Sequence, residues 1–212
     1  RNFFNGGGVA IGDVNNDGRK DLLLCGEFMP LTVLINSTIG FLDKTSDYFD
    51  KPETGFWFSL TVADVDGDGK EDIMAGNLGM NSPLHLSEKE PAELFYTDFD
   101  GNGSVDPFLN FYVQGKTYPF VSRDELNEQI YPMRKKFSSY KNYADATMNE
   151  IFSADELAKA TKLSAAENRT LCFLSRNNKF IKKELPLQAQ FSMVTKIVTG
   201  DYNRDGKTDM LL

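Results

Sequence analysis

Four times along the chain, a short apolar run leads into a stretch of acidic, amide and glycine positions and out into a second apolar run. The leading runs are 8–12, 59–63, 94–97 and 196–200, and the trailing runs are 22–25, 73–75, 108–111 and 210–212. Apolar runs this short, bounded by turn formers, predict strands, so each repeat predicts a β-hairpin. Residues 170–175 and 179–185 alternate about Arg176-Asn177-Asn178 and predict another hairpin, and 83–86 predicts a middle strand. The pattern changes over about 119–165. There, Ser122 with Glu125 and Ser153 with Glu156 have capping-box spacing, and short helices are predicted over 125–130, 133–137 and 156–160, with Pro132 ending the first. The expected fold is all-β with a small helical insertion.

The stretches between paired runs share one pattern, Asp-x-[Asp/Asn]-x-[Asp/Asn]-Gly-x-x-Asp. Loop 1 carries Asp13, Asn15, Asp17 and Asp21; loop 2 carries Asp64, Asp66, Asp68 and Asp72. Loop 3 carries Asp98, Asp100, Asn102 and Asp106; loop 4 carries Asp201, Asn203, Asp205 and Asp209. Oxygen side chains at positions 1, 3, 5 and 9 suit a hard cation, and Ca²⁺ takes roughly 6–8 oxygens. The position 7 carbonyl of Arg19, Lys70, Ser104 or Lys207 is expected to add one more. Position 6 is Gly in every copy, as a sharp turn around an ion requires. An EF-hand would place a bidentate Glu at position 12, but Leu24, Ala75, Leu109 and Leu212 stand there. The EF-hand reading therefore fails, and each motif is expected to be a strand–calcium loop–strand hairpin. Position 2 (Val14, Val65, Phe99, Tyr202) is apolar and expected to turn inward.

These hairpins resemble the FG-GAP or VCBS repeats of integrin-α-type β-propellers, most closely in 12–22 and 62–73. The motifs with their strands cover under half of the chain. The resemblance implies calcium-binding β-propeller blades, with the loops on one rim joining the first two strands of each blade. A looser similarity, carried by 77–83 and the helical insertion, is to bacterial relatives of cartilage acidic protein of the ASPIC/UnbV type. On this reading 1–212 is part of one β-propeller domain, with the insertion at about 119–165. Loop starts lie 51, 34 and 103 residues apart. That spacing reads as one blade, a short blade, and a blade with an insertion, blades running roughly 40–50 residues in common repeat families. The chain opens on Arg1-Asn2-Phe3-Phe4 and ends within the strand after the fourth loop, which reads as part of a longer propeller.

Composition sharpens this picture. The formal charge is −8, and thirteen aspartates sit at loop positions, so the acid excess belongs largely to the presumed cation sites. About four bound Ca²⁺ would cancel it. An acidic chain also argues against nucleic acid, which needs a basic face. Millimolar extracellular calcium suits such loops, so an extracellular, cell-surface or periplasmic location is expected, without membrane insertion of this segment. Cys25 and Cys172 lie in apolar runs and are read as buried free thiols, a disulfide being the alternative. His85 is the single histidine, which leaves little for a Ser-His-Asp triad or a histidine zinc site. Trp57 is read as core, with sugar stacking as its alternative. The leading functional expectation is a non-enzymatic binding or adhesion module for a protein or glycan. The alternatives are a polysaccharide-cleaving enzyme on a propeller scaffold and a purely structural array, whose partner is itself or further blades.

Overall fold

The computed structural model describes residues 6–212, and it is built mainly from antiparallel sheets. The first sheet is a meander of β1 (Gly7–Gly12), β2 (Asp21–Pro30), β3 (Thr32–Ser37) and β4 (Gly40–Asp43), with loop 1 joining β1 to β2. A short helix, α1 (Thr45–Tyr48), follows, and β5 (Thr54–Phe56) pairs with the far end of β2 across a bulge. The second sheet opens with β6 (Ser59–Ala63) and β7 (Asp72–Gly76), joined by loop 2. Its other two strands, β12 (Leu171–Arg176) and β13 (Lys179–Glu184), return about a hundred residues later, in the order β13-β12-β7-β6. The turn between them uses Asn177 and Asn178 at positive φ (51° and 61°), the primed-turn geometry that matches strand twist. A last hairpin pairs β14 (Val198–Gly200) with β15 (Asp209–Leu211) around loop 4.

The chain divides into two compact units, one joining the chain up to Pro83 with Glu167–Leu212, the other spanning Leu84–Ala166. The second unit holds loop 3. Its strands are β8 (Ala92–Thr97), β9 (Asp106–Val113), β10 (Lys116–Pro119) and β11 (Thr161–Ala165), in the order β10-β9-β8-β11. This is the Greek-key order, in which a fourth strand returns by a long connection to lie beside the first. The connection carries α2 (Arg123–Gln129), α3 (Met133–Lys136), α4 (Tyr140–Tyr143), α5 (Met148–Ile151) and α6 (Ala154–Lys159). The Ser122/Glu125 and Ser153/Glu156 capping boxes form as their spacing predicts, and Thr147 with Glu150 makes a third. The spacing of 34 residues between loops 2 and 3 is therefore not a completed blade. The blade begun at loop 2 is interrupted by the second unit and resumes at β12.

Cores follow the strand pattern. In the first unit, Leu23, Val33 and Ala10 of the first sheet pack with Leu60, Ile73, Ala75, Leu171 and Phe173 of the second, around the fully buried Trp57. Trp57 is thus core, and the sugar-stacking alternative falls. Every residue of β7 is buried, because its other face contributes Met74, beside Cys172, to a core with Val194, Ile197 and Met210 from the region of loop 4. A strand covered on both faces reads as a continuous apolar run, which is why 73–75 does not alternate. A Cβ at Gly8 of β1 would lie 2.9 Å from the Leu60 nitrogen of β6, so glycine permits the close approach of these sheets. Cys25 and Cys172 are both free and buried, and burial pushes each thiol up to about 11. In the second unit, Phe108 meets Phe99 and Phe152, and Leu126, Met148 and Ile151 of the helices close over them. The middle strand expected at 83–86 does not form. The chain before it is drawn into other pairings, with the Gly79 N–H donating to Asn168 O at 2.7 Å and that of Met80 to Gln190 O at 2.8 Å. His85 is accordingly an exposed loop residue.

The return from the insertion into the first unit is fastened by ions. Glu167, 5% exposed, accepts from Arg169 Nη2 at 2.7 Å and from Lys182 Nζ at 2.9 Å, and Lys182 also donates to Glu53 at 2.8 Å. Burial would raise the Glu167 carboxyl, but the hydrogen bonds from Arg169 and Lys182 outweigh it and hold the pKa at about 2. A folded pKa below the unfolded one gives stability that is complete above the ordinary glutamate range and drains away as pH falls towards about 2. We expect metal-stripped wild type to lose more stability than Glu167→Gln between pH 5 and 2, by on the order of 3 kcal/mol. Urea melts across that range measure it, and parallel pH profiles for the two proteins would refute it.

Candidate metal centre

The four loops fold alike because the first aspartate gathers the loop's own backbone. The position 5 N–H donates to one oxygen of the position 1 carboxylate, at 2.9 Å in loop 1 (Asp17 to Asp13), 3.2 Å in loop 2 (Asp68 to Asp64), and 3.0 Å in loops 3 and 4 (Asn102 to Asp98, Asp205 to Asp201). The position 6 glycine N–H donates to the other oxygen at 2.8–2.9 Å in each loop. That glycine has φ of 84°, 81°, 87° and 81° in turn, a conformation that strains any residue with a Cβ. Position 4 also lies at positive φ: Asn16 (57°), Gly67 (78°), Gly101 (74°) and Arg204 (64°). The sequence pattern does not show this second left-handed position, because only two of the four residues there are glycine. The position 7 N–H of Arg19, Lys70, Ser104 and Lys207 donates to the position 5 side chain at 2.8–2.9 Å, which orients Asp17, Asp68, Asn102 and Asp205.

Position 9 anchors the loop beneath. Asp21, Asp72, Asp106 and Asp209 each accept the position 2 N–H at 3.0 Å. Asp21 and Asp72 are fully buried, and Asp106 is 3% exposed. Their second oxygens find partners that are distant in sequence: the Asn36 N–H of β3 at 2.8 Å, the Ser175 N–H of β12 at 2.8 Å, and Gln129 Nε2 of α2 at 3.4 Å. A helix supplies the third case because β10 pairs with β9 only over Asn110–Val113 and brings no strand N–H to Asp106. Burial raises all three pKa values, against the pull of these hydrogen bonds. At the rim the balance reverses: the N–H groups of Gly69, Gly67 and Asp68 hold Asp64 low, and that of Arg19 holds Asp17 low. Position 2 turns inward as Val14, which is buried, and as Phe99, which stacks on Phe152 at 4.1 Å. Tyr202 differs, being half exposed.

The donor set fits a hard cation. Carboxylate oxygens of Asp64, Asp66 and Asp68, and of Asp98, Asp100 and Asp106, converge to within 4.8 Å of one another. In loops 1 and 4 the amides Asn15 and Asn203 stand at position 3, and each donates to the position 5 carboxylate, Asp17 at 2.9 Å and Asp205 at 3.3 Å. Loops 1 and 2 also meet a guanidinium. Arg19 donates to Asp17 at 2.5 Å, while Arg176, at the end of β12, pairs with Asp68 at 2.9 Å and with Asp66. Two contacts tie loops together, Lys20 with Glu71 at 3.6 Å and Thr208 Oγ1 donating to Asp64 O at 2.7 Å. Nothing in the nine-residue pattern points to Arg176, Ser175 or Gln129, because the tertiary fold brings them from other elements, nor to the pairing of Thr208 of loop 4 with Asp64 of loop 2.

We expect Asp66→Ala to weaken calcium at loop 2 far more than Val65→Ala, since Asp66 belongs to the oxygen cluster and Val65 packs beside the Met74 core. Titration at matched folding checks this, and equal losses would show the ligand set to be wrong.

Among the described residues no helix is long and apolar enough to cross a membrane. Comparison with curated proteins returns no match. The matched segment of the chain runs from the first aspartate of loop 1 through the whole of loop 2 to Ala75 in β7: over residues 13–75 the chain matches the model of the FG-GAP-like repeat.

Proposed function

We propose that this chain is a calcium-binding repeat module of an exported protein, a non-enzymatic binding or adhesion element for a protein or glycan. The observation that carries the reading is the common loop geometry. Four times, a position 1 carboxylate collects the loop's N–H groups while a position 9 carboxylate is held beneath by the position 2 N–H. In loops 2 and 3 further carboxylates join the position 1 aspartate, Asp64 with Asp66 and Asp68, and Asp98 with Asp100 and Asp106. Calcium would be held by positions 1, 3, 5 and 9 with the position 7 carbonyl. It would supply the positive charge that these acids lack and fix the hairpins that support the binding surface. Millimolar extracellular calcium suits multi-carboxylate loops of this type, which favours export. The match of residues 13–75 to the FG-GAP-like repeat supports the same reading. Isothermal titration of metal-stripped protein tests it. About four sites are expected, with Mg²⁺ binding more weakly because it demands a smaller octahedral shell. A folded protein that takes up no calcium would overturn the proposal.

A further inference from the structure

The second unit carries an open groove of about 750 Å³ that none of the four loops uses. It lies between the β9–β10 hairpin and the chain from Asp145 through α5, and its lining includes Tyr112, Thr117, Tyr118, Asp145, Asn149 and Glu150. A second hollow of about 390 Å³ shares Tyr118 and Asp145 with it, so the two adjoin at these residues. The second hollow adds apolar walls from Phe111, Pro119 and Tyr143.

We infer that this groove binds a neutral oligosaccharide, its aromatic side chains contacting the apolar faces of sugar rings and its amide and carboxylates taking their hydroxyls. The chemistry of the lining carries the inference. Planar polar groups that accept and donate in a fixed plane match vicinal hydroxyls, and tyrosine offers an apolar body with a polar tip. Among the described residues the side chains of Tyr118, Asp145 and Asn149 make no hydrogen bond within the protein, so their capacity is open to a ligand. Glu150 is fixed, its Oε2 accepting from Thr147 N and Oγ1 at 2.8 Å each, and those bonds keep it ionised. One lysine, Lys116, faces two carboxylates in the lining, so the groove is net acidic and disfavours uronates and phosphates. Tyr112 and Thr117 are cross-strand partners, as are Phe111 and Tyr118, so the hairpin itself fixes the spacing of the aromatic groups.

The inference rests on the reading of the chain as a binding module, but the groove contains no loop ligand, and the two can be tested apart. The full chain in calcium would be titrated with hexasaccharides of β-1,4-linked glucose, mannose and N-acetylglucosamine. At least one is expected to bind, and Tyr118→Ala and Asn149→Ala should each weaken it about tenfold, while Tyr118→Phe retains most of the affinity. Asn149 is exposed, so its variant tests the groove without risk to the core. Calcium titration of the same variants should be unchanged. Absence of binding by all three sugars, or binding that neither alanine variant weakens, overturns the inference, and does so alone if the calcium heats persist.

Discussion

Calcium restored to metal-stripped protein is expected to raise the thermal midpoint by about 5–10 °C for each loop saturated at a hundredfold over its dissociation constant. A ligand that binds only the folded state adds about 2.7 kcal/mol at that excess, and one kcal/mol moves the midpoint of a chain this size by about 2–4 °C. Without a cation the loops are built against themselves, and a bound Ca²⁺ would relieve that repulsion. Asp64, Asp66 and Asp68 bring carboxylate oxygens to within 4.8 Å, as do Asp98, Asp100 and Asp106. Like charges that close repel, and only some of that repulsion is offset by Arg176 on loop 2. No cationic side chain pairs with Asp98 or Asp100 among the described residues, so loop 3 should respond most steeply. Scanning calorimetry with and without chelator measures the shift. A melting curve indifferent to calcium would reduce the four loops to acidic turns.

Asp72→Ala should destabilise the protein even when no metal is present, by about 2–6 kcal/mol. Asp72 is fully buried, and its two oxygens accept the N–H of Val65 at 3.0 Å and that of Ser175 at 2.8 Å. Truncation strands one buried donor and one part-buried donor, each costing about 1–3 kcal/mol. The second of these bonds also joins β7 to β12, so its loss loosens the pairing of two strands that are distant in sequence. Asp66→Ala, at the exposed rim, should cost little under the same conditions and show its effect only when calcium is added. Urea denaturation of the stripped proteins separates the two. If the two variants were equally stable without calcium, position 9 would be a ligand and nothing more. This division of labour between a rim acid and a buried acid cannot be read from the motif, which presents all four oxygens as equivalent.

The four loop hairpins, the hairpin about Asn177-Asn178 and the Ser122 and Ser153 capping boxes were legible in the amino-acid order, because each depends on residues close together in sequence; α4 and the Thr147/Glu150 box of α5 were not read from it. The glycine at position 6, the Ser122/Glu125 box and the Asn177-Asn178 turn are set by local sterics and short-range hydrogen bonds, and they appear where the pattern places them. What joins to what was not legible. The spacing of loops 2 and 3 reads as successive blades, yet β7 takes β12 as its neighbour, and loop 3 lies in a Greek-key sheet within the second unit. A strand's apolar face specifies that it must be covered, not by which of several apolar strands. The choice depends on register, chain reversal and the burial of Met74, Cys172 and Phe173 together. The same holds at the loops. The nine-residue pattern by itself determined the oxygens at the rim. Tertiary structure alone decided that Asp21 and Asp72 are buried under the N–H groups of Asn36 and Ser175, and that Arg176 reaches Asp66 and Asp68. Those partners are brought in by strand pairing, and local sequence carries no force that acts over such separations.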